Sequence, residues 1–200
     1  MVILYEVHNN LYVNMTNKCP CACTFCLRQT RDEMNGSGSL WLEREPTVDE
    51  VKNEFSKFNV DKYDEIVFCG FGEPTERLDD VLEVCRFIKE KYGKKIRINT
   101  NGLADLIHGR NTAPEFVGLI DVVSISHNTP NKERYLELTR SKFGIESFDA
   151  MIRFAENVKN YVSEVVLSTV GTTLTEDEEK QCAEICKKIG VTYRIRPYED

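Results

Sequence analysis

Residues Asn14 to Arg28 read NMTNKCPCACTFCLR and hold four cysteines within eight positions: Cys19, Cys21, Cys23 and Cys26. Three of them, Cys19, Cys23 and Cys26, make the spacing C-x3-C-x2-C, with Phe25 just before the last. A loop this tight can bring three thiolates to one face of a small metal cluster. Ordinary [4Fe–4S] centres take four cysteine ligands, one for each iron. A set of three leaves one iron open, and an open coordination position is what chemistry needs.

Two duller readings use the same residues. The four cysteines could form a structural zinc knot, since zinc sites built from four cysteines are common. Such sites usually pair two short knuckles from separate segments, and four ligands in eight residues strain a tetrahedron. A disulfide pair is the other reading. It conflicts with a chain that carries no signal-peptide pattern over Met1 to Val7 and has the look of a reducing compartment. On the cluster reading Cys21 is a spare, either a packed small residue or a neighbouring thiol.

The elements that must position this loop can be read along the chain. With 200 residues, one domain spanning 1–200 is expected. The net charge of −7 argues against nucleic acid as the main partner. No apolar run is long enough to cross a bilayer, so a cytoplasmic protein without membrane association is expected. The scattered Cys69, Cys85, Cys182 and Cys186 sit among apolar neighbours and read as small buried residues.

Val2 to Val7 and Leu11 to Met15 read as two strands joined by a turn at Asn9-Asn10, the second delivering the chain into the cysteine loop. Gln29 to Pro46 is a long connection containing Gly36-Ser37-Gly38-Ser39, with Trp41 as an anchor that packs against the domain. Thr47 to Glu50 and Thr175 to Glu178 have the capping-box pattern. Helices are expected over Thr75 to Tyr92 with a stop at Gly93, near Leu103, over Pro114 to Leu119, over Asn131 to Thr139, after a Ser147 cap, and from Thr175 to Gly190. Apolar strands are expected at 65–69, 95–99, 121–126, 165–170 and 191–196.

Strand and helix thus alternate about six times. This predicts a parallel sheet with helices packed outside it. Six units fall short of a closed eight-stranded barrel. The expected fold is α/β, a partial, open β/α barrel of about six parallel strands, with a doubly wound sheet as the alternative. In a β/α barrel the site lies at the C-terminal ends of the strands. The cysteine loop, Gly70-Phe-Gly-Glu-Pro-Thr75, Asn99-Thr-Asn-Gly102 and Ser126-His-Asn128 each follow a strand, so all land on one face.

The cysteine spacing resembles the radical S-adenosylmethionine (radical SAM) superfamily, whose signature is C-x3-C-x-aromatic-C. Gly72-Glu73-Pro74 resembles its GGEP segment, with Phe71 in place of the second glycine, and Thr100-Asn101-Gly102 resembles its TNG turn. The stretches LYVNMTNKCPCACTFCLRQ, LWLEREPT, FCGFGEPT, INTNG and SHNTPNKERYLELTR are similar to the TatD-associated radical SAM proteins, often encoded with a TatD-type hydrolase.

The resemblance implies two cofactors, a [4Fe–4S] cluster held by Cys19, Cys23 and Cys26 and S-adenosyl-L-methionine (SAM) chelating the open iron. It implies SAM contacts at Gly72, Glu73, Pro74, Asn101, Ser126, Asn128 and Gly171. Reductive cleavage of SAM to a 5′-deoxyadenosyl radical, followed by hydrogen abstraction from a substrate, needs no side chain as general acid or base, and none is assigned. A reducing partner such as flavodoxin or ferredoxin and a functional link to a TatD-type hydrolase also follow from the resemblance.

Two rival functions remain. An activase that installs a glycyl radical on a partner protein suits the length, but such activases often carry D-x-K where this chain has Ser126 and Asn128. A non-catalytic cysteine-rich metal-binding module is the reading from another class. His127 is expected to point away from the site by strand alternation. Arg194 and Arg196 share one face of the last strand, pointing either into the barrel, where they could bind a carboxylate or phosphate, or to solvent.

Overall fold

The computed structural model describes residues 1–198. A single sheet of seven strands runs in the order β1 to β7: Leu4–Val7, Asn10–Val13, Glu65–Phe68, Lys95–Thr100, Val122–Ser126, Glu164–Val170 and Thr192–Arg196. Only the first pair is antiparallel; β2 to β7 are parallel throughout. The expected six parallel strands are present. The first strand is an added hairpin partner, and the sheet stays open between β1 and β7.

Six α-helices connect the strands: α1 Val48–Glu54, α2 Leu78–Tyr92, α3 Ala104–His108, α4 Lys132–Thr139, α5 Glu146–Val158 and α6 Glu176–Ile189. Both capping boxes form, at Thr47 with Glu50 and at Thr175 with Glu178. Each satisfies two backbone donors that the first helical turn otherwise leaves bare. Gly93 and Gly190 end α2 and α6 in the left-handed region, at φ of 61° and 74°.

Some local details differ from the sequence expectation. The left-handed residue of the first turn is His8, at φ 52°, while Asn10 already pairs with Val7 in the hairpin. Pro74 opens a short 3-10 turn, Pro74–Arg77, before α2 begins. Pro114 likewise lies in a 3-10 turn, Ala113–Phe116, that stops short of Leu119. Ser147 does not cap α5. It lies inside the first turn, where its hydroxyl donates to Gly144 O at 2.7 Å. Cys85, Cys182 and Cys186 are buried, whereas Cys69 is only half-buried at the end of β3. Trp41 stays 39% exposed and meets Phe71 edge-on at 5.1 Å.

Strand alternation sorts the sheet into two faces. Val13, Phe68, Ile98, Val123 and Val165 lie along one register row, and all belong to the main core beneath the helices. The neighbouring row, Tyr12, Val67, Arg97 and Val122, faces the hollow of the barrel. Near β1 that hollow is filled by a small second cluster of Tyr5, Leu40 and Phe71, contributed partly by the loop 29–46.

Candidate active site

The cysteine loop leaves β2 and is clamped from behind by the end of α4. Ala22 N donates to Thr139 O and Thr24 N to Leu138 O, both at 2.9 Å, and Lys142 N donates to Pro20 O at 2.9 Å. Arg28 lies across the front and reaches the carbonyls of Asn17 and Cys21, each at 3.4 Å. The loop is therefore pinned at backbone level, which leaves its thiols free to act.

Within the loop the cysteines are not equivalent. Cys21 is buried at 5% exposure, with its sulfur facing Asn101 Nδ2 at 3.9 Å. Its thiol hydrogen-bonds to Cys19 and Cys23, which holds both of those below the ordinary thiol range; the Arg28 charge adds to the effect at Cys23. The same hydrogen bonds, together with burial, push Cys21 far upward. Burial also raises Cys26. The set thus divides by position into a buried Cys21 and the partly buried Cys19, Cys23 and Cys26.

Among the described residues no three His, Cys, Asp or Glu side chains converge on a single point as one ion would require. A cubane spreads its ligands over separate irons, so three thiols in one pinned loop fit its donor chemistry without such convergence.

The segment after β3 locks onto this loop. Glu73 N donates to Lys18 O at 2.7 Å. A Cβ at Gly72 would fall 2.2 Å from Thr16 O and 2.7 Å from Lys18 O. Gly72 is therefore glycine because the cysteine loop passes against it. One further turn back, a Cβ at Gly70 would lie 2.1 Å from Asn14 Oδ1. Phe71, standing where the superfamily has its second glycine, turns into the second apolar cluster.

Glu73 is the centre of the network. It is 4% exposed, and its Oε1 accepts from Thr75 N at 3.1 Å, Thr75 Oγ1 at 2.8 Å and Thr100 Oγ1 at 2.6 Å. Its Oε2 accepts from Asn101 N at 2.8 Å. Burial raises the carboxyl above its ordinary value, and these donors pull in the opposite direction. Pro74 is buried behind it at the start of the 3-10 turn. The cysteine loop, the segment after β3 and the turn after β4 are thereby one hydrogen-bonded unit. Thr100 was not singled out from sequence, although it lies inside the TNG turn.

Ser126 and Asn128 lie at the end of β5. Asn128 adopts φ 65°, and its Nδ2 donates to Ser126 O at 3.4 Å. Its Oδ1 is buried without a hydrogen-bond partner, which marks a place for a donor from a ligand. His127 N and Asn128 N both donate to Ser168 O, at 2.9 and 3.3 Å, which ties the end of β5 to β6. His127 points away from the hollow, as expected, and is fully buried beside the Phe148 ring at 5.9 Å. Burial lowers its pKa to about 4. Gly171, after β6, donates its N–H to Arg196 O at 2.7 Å and stands apart from the Glu73 network.

Tyr135 of α4 was also missed from sequence. It is 1% exposed, its hydroxyl has no partner, and the negative charge of the cysteine loop and Glu73 adds to burial in raising its pKa.

The architecture is that of an open β/α barrel with a four-cysteine loop and a buried acidic clamp at the C-terminal ends of its first strands. The family model described as the Radical SAM superfamily matches residues 13–191. The chain belongs to the radical SAM superfamily, whose members use a [4Fe–4S] cluster and SAM.

Curated relatives include a probable GTP 3′,8-cyclase of Methanocaldococcus jannaschii, 29% identical over 190 residues, covering 93% of this chain and 57% of the relative. A probable dual-specificity RNA methyltransferase RlmN of Streptococcus mutans is 27% identical over 201 residues, covering 94% of this chain and 53% of that protein. The chain spans about half the length of these relatives. Among solved structures, Streptococcus suis SuiB bound to its precursor peptide SuiA superposes with a TM-score of 0.71 at 14% identity, covering 98% of this chain and 40% of that one. A radical SAM methyltransferase from Sphaerobacter thermophilus gives 0.67 at 15% identity, covering 98% and 69%. At these identities the likeness is one of fold. Among the described residues no helix is long and apolar enough to cross a membrane.

Proposed function

We propose that this chain is a radical SAM enzyme in which Cys19, Cys23 and Cys26 hold the cluster. The observation that carries the reading is geometric: Cys21 is buried while Cys19, Cys23 and Cys26 are only partly buried, and the loop that carries them is joined to Glu73 and the turn after β4 in one hydrogen-bonded unit. When bound, the reduced cluster and SAM supply a 5′-deoxyadenosyl radical that takes a hydrogen atom from the substrate.

The chain's own residues bind and orient. Glu73, fixed by Thr100, Thr75 and Asn101, presents acceptor capacity to the N–H groups of the SAM amino group. Gly72 and Pro74 set the path of that segment. Asn101, Ser126 and Asn128 offer neutral hydrogen-bonding groups to the rest of SAM, and Gly171 gives backbone contact on the adenine side. The buried position of Glu73 strengthens a hydrogen bond that it accepts, because little water competes.

A reductant of the flavodoxin or ferredoxin kind completes the reaction, and a cytoplasmic setting suits it. The quoted motifs also support the TatD-associated subfamily and a functional link to a TatD-type hydrolase. The relatives' chemistry makes a nucleotide or a peptide the first substrate classes to try. The activase reading is weaker, since Ser126 and Asn128 replace the charged pair such enzymes often carry.

The decisive test is anaerobic reconstitution with iron and sulfide, followed by reduction and addition of SAM. Production of 5′-deoxyadenosine with a SAM-perturbed cluster signal in EPR is expected. Zinc in the metal analysis, with no cluster and no cleavage, would leave only the metal-binding module.

A further inference from the structure

Helix α4 buries two side chains, Tyr135 and Thr139. They stand four positions apart and so share one face of the helix. The end of that helix is where the cysteine loop is held, with Ala22 N on Thr139 O and Thr24 N on Leu138 O. Thr139 Oγ1 donates back to Tyr135 O at 2.8 Å, which ties the last turn to the tyrosine. Tyr135 and Cys21 belong to one core cluster, and Cys19 and Cys23 pack against it. Tyr135 is therefore the large side chain that α4 sets behind the cysteine loop. Its hydroxyl lies in the field of Cys21, Cys23, Glu73 and Cys19, so the phenol end is on the loop side.

The ring is fixed. It meets Phe148 edge-on at 5.6 Å, and Phe148 in turn lies beside His127. The hydroxyl is left over: Tyr135 is 1% exposed, and its Oη has no hydrogen-bond partner. A buried tyrosine hydroxyl ordinarily finds one, and going without is costly. Glu73, the one carboxylate in its field, already accepts four donors from Thr75, Thr100 and Asn101. A water on Oη would need about two to four polar partners, and the Phe148 ring supplies none. What remains on the loop side is sulfur. Hydrogen bonds to the sulfurs of an iron–sulfur centre help to set its potential.

We propose that Tyr135 tunes the cluster, its hydroxyl donating a hydrogen bond to a sulfur of the [4Fe–4S] centre held by Cys19, Cys23 and Cys26 and so raising the reduction potential. This rests on the cluster reading. One electron from the reductant adds one negative charge to the centre, and a donor at sulfur stabilises the reduced form more than the oxidised one. The phenol, a donor at neutral pH, keeps its proton and passes nothing on.

The test is a redox titration of the reconstituted protein without SAM, with EPR on the reduced state. Tyr135→Phe keeps the ring and its contact with Phe148 and removes only the hydroxyl. It should load iron and sulfide as wild type does. Its reduced-to-oxidised ratio at a fixed potential should fall about tenfold, which is ~59 mV for one electron. After assembly in D2O, deuterium ENDOR should show an exchangeable deuteron in wild type that Tyr135→Phe lacks. Tyr161→Phe, at a half-exposed position after α5, should change neither.

An unchanged potential in Tyr135→Phe, or loss of no deuteron, overturns the assignment. Weaker SAM binding at unchanged potential would overturn it too, by placing the hydroxyl on SAM. Should Tyr135→Phe load poorly, 3-fluorotyrosine at position 135 is a stronger donor of nearly the same size. It should raise the potential, and an unchanged value would again overturn the assignment. Wild type that takes up no iron and sulfide would remove the cluster reading itself, and this inference with it.

Discussion

Thr100 Oγ1 stands 2.6 Å from Glu73 Oε1, and the same hydroxyl accepts the Gly102 N–H at 3.1 Å. One buried hydroxyl thus aligns the turn after β4 against the acidic clamp, and the clamp in turn holds the cysteine loop through Lys18 O. Thr100→Val keeps the shape but removes the donor. A hydrogen bond to a charged group is worth about 1.5–3 kcal/mol, so a lower unfolding temperature and weaker SAM binding are expected together. Thr100→Ser, which keeps the hydroxyl, should restore SAM binding. Unfolding and equilibrium dialysis on both variants decide it; wild-type behaviour of Thr100→Val in both would remove Thr100 from the clamp.

The cysteine loop makes a second prediction. Cys21 is buried against Asn101, whereas Cys19, Cys23 and Cys26 are only partly buried and keep the C-x3-C-x2-C spacing; a three-thiolate set leaves one iron of a [4Fe–4S] cluster open. Cys19→Ala, Cys23→Ala and Cys26→Ala should each lose bound iron and sulfide on anaerobic reconstitution. Cys21→Ala should keep both, with a modest loss from the vacated volume. Iron and sulfide content with the EPR spectrum is the measurement. A Cys21→Ala protein without cluster, beside a loaded Cys26→Ala protein, would reassign the triad.

His127 predicts a pH dependence. Its folded pKa of about 4 lies below the ordinary 6.5 because burial disfavours the charged ring. Between those values the unfolded chain binds more protons, so stability is whole above about pH 6.5 and falls as pH drops toward 4. By pH 5 the loss from this residue alone is about 2 kcal/mol. His127→Leu should flatten that part of the profile. Urea unfolding of both proteins at pH 7 and pH 5 tests it; parallel profiles would mean that the ring is solvated or paired in solution.

Much of this was legible in the sequence, for physical reasons that differ by element. The capping boxes at Thr47 and Thr175 and the stops at Gly93 and Gly190 are local chemistry, and they form where the residues say. The β/α alternation placed all the polar strand ends on one face because parallel crossovers leave no other arrangement. Non-local demands were hidden. Gly72 looks like a ligand-facing glycine in sequence, yet two carbonyls of the cysteine loop require it. The role of Thr100 depends on a carboxylate 27 positions away. Ser147 looks like a cap, but the preceding turn begins α5 earlier and leaves its hydroxyl to Gly144. The seventh strand, β1, was read as one half of a hairpin, and its antiparallel pairing bears that out.

The turn that carries Asn101 makes the last prediction. Gly102 adopts φ 76°, and a Cβ there would lie 2.8 Å from Ile125 Cγ2 and 2.9 Å from Met151 Cγ, both in the core. Gly93 adopts φ 61° with nothing within 4 Å of the same position. Alanine at either site meets the left-handed backbone cost of about 1–2 kcal/mol. Only Gly102→Ala adds overpacking, worth about 1–3 kcal/mol more. Because Thr100 and Asn101 bond Glu73 from the same turn, that strain also displaces the clamp. Gly102→Ala should therefore lose stability beyond Gly93→Ala and bind SAM more weakly, while Gly93→Ala keeps wild-type SAM affinity. Unfolding and SAM dialysis on the pair separate backbone strain from the site, and equal losses of stability in the two would show that the turn relaxes without moving the acidic clamp.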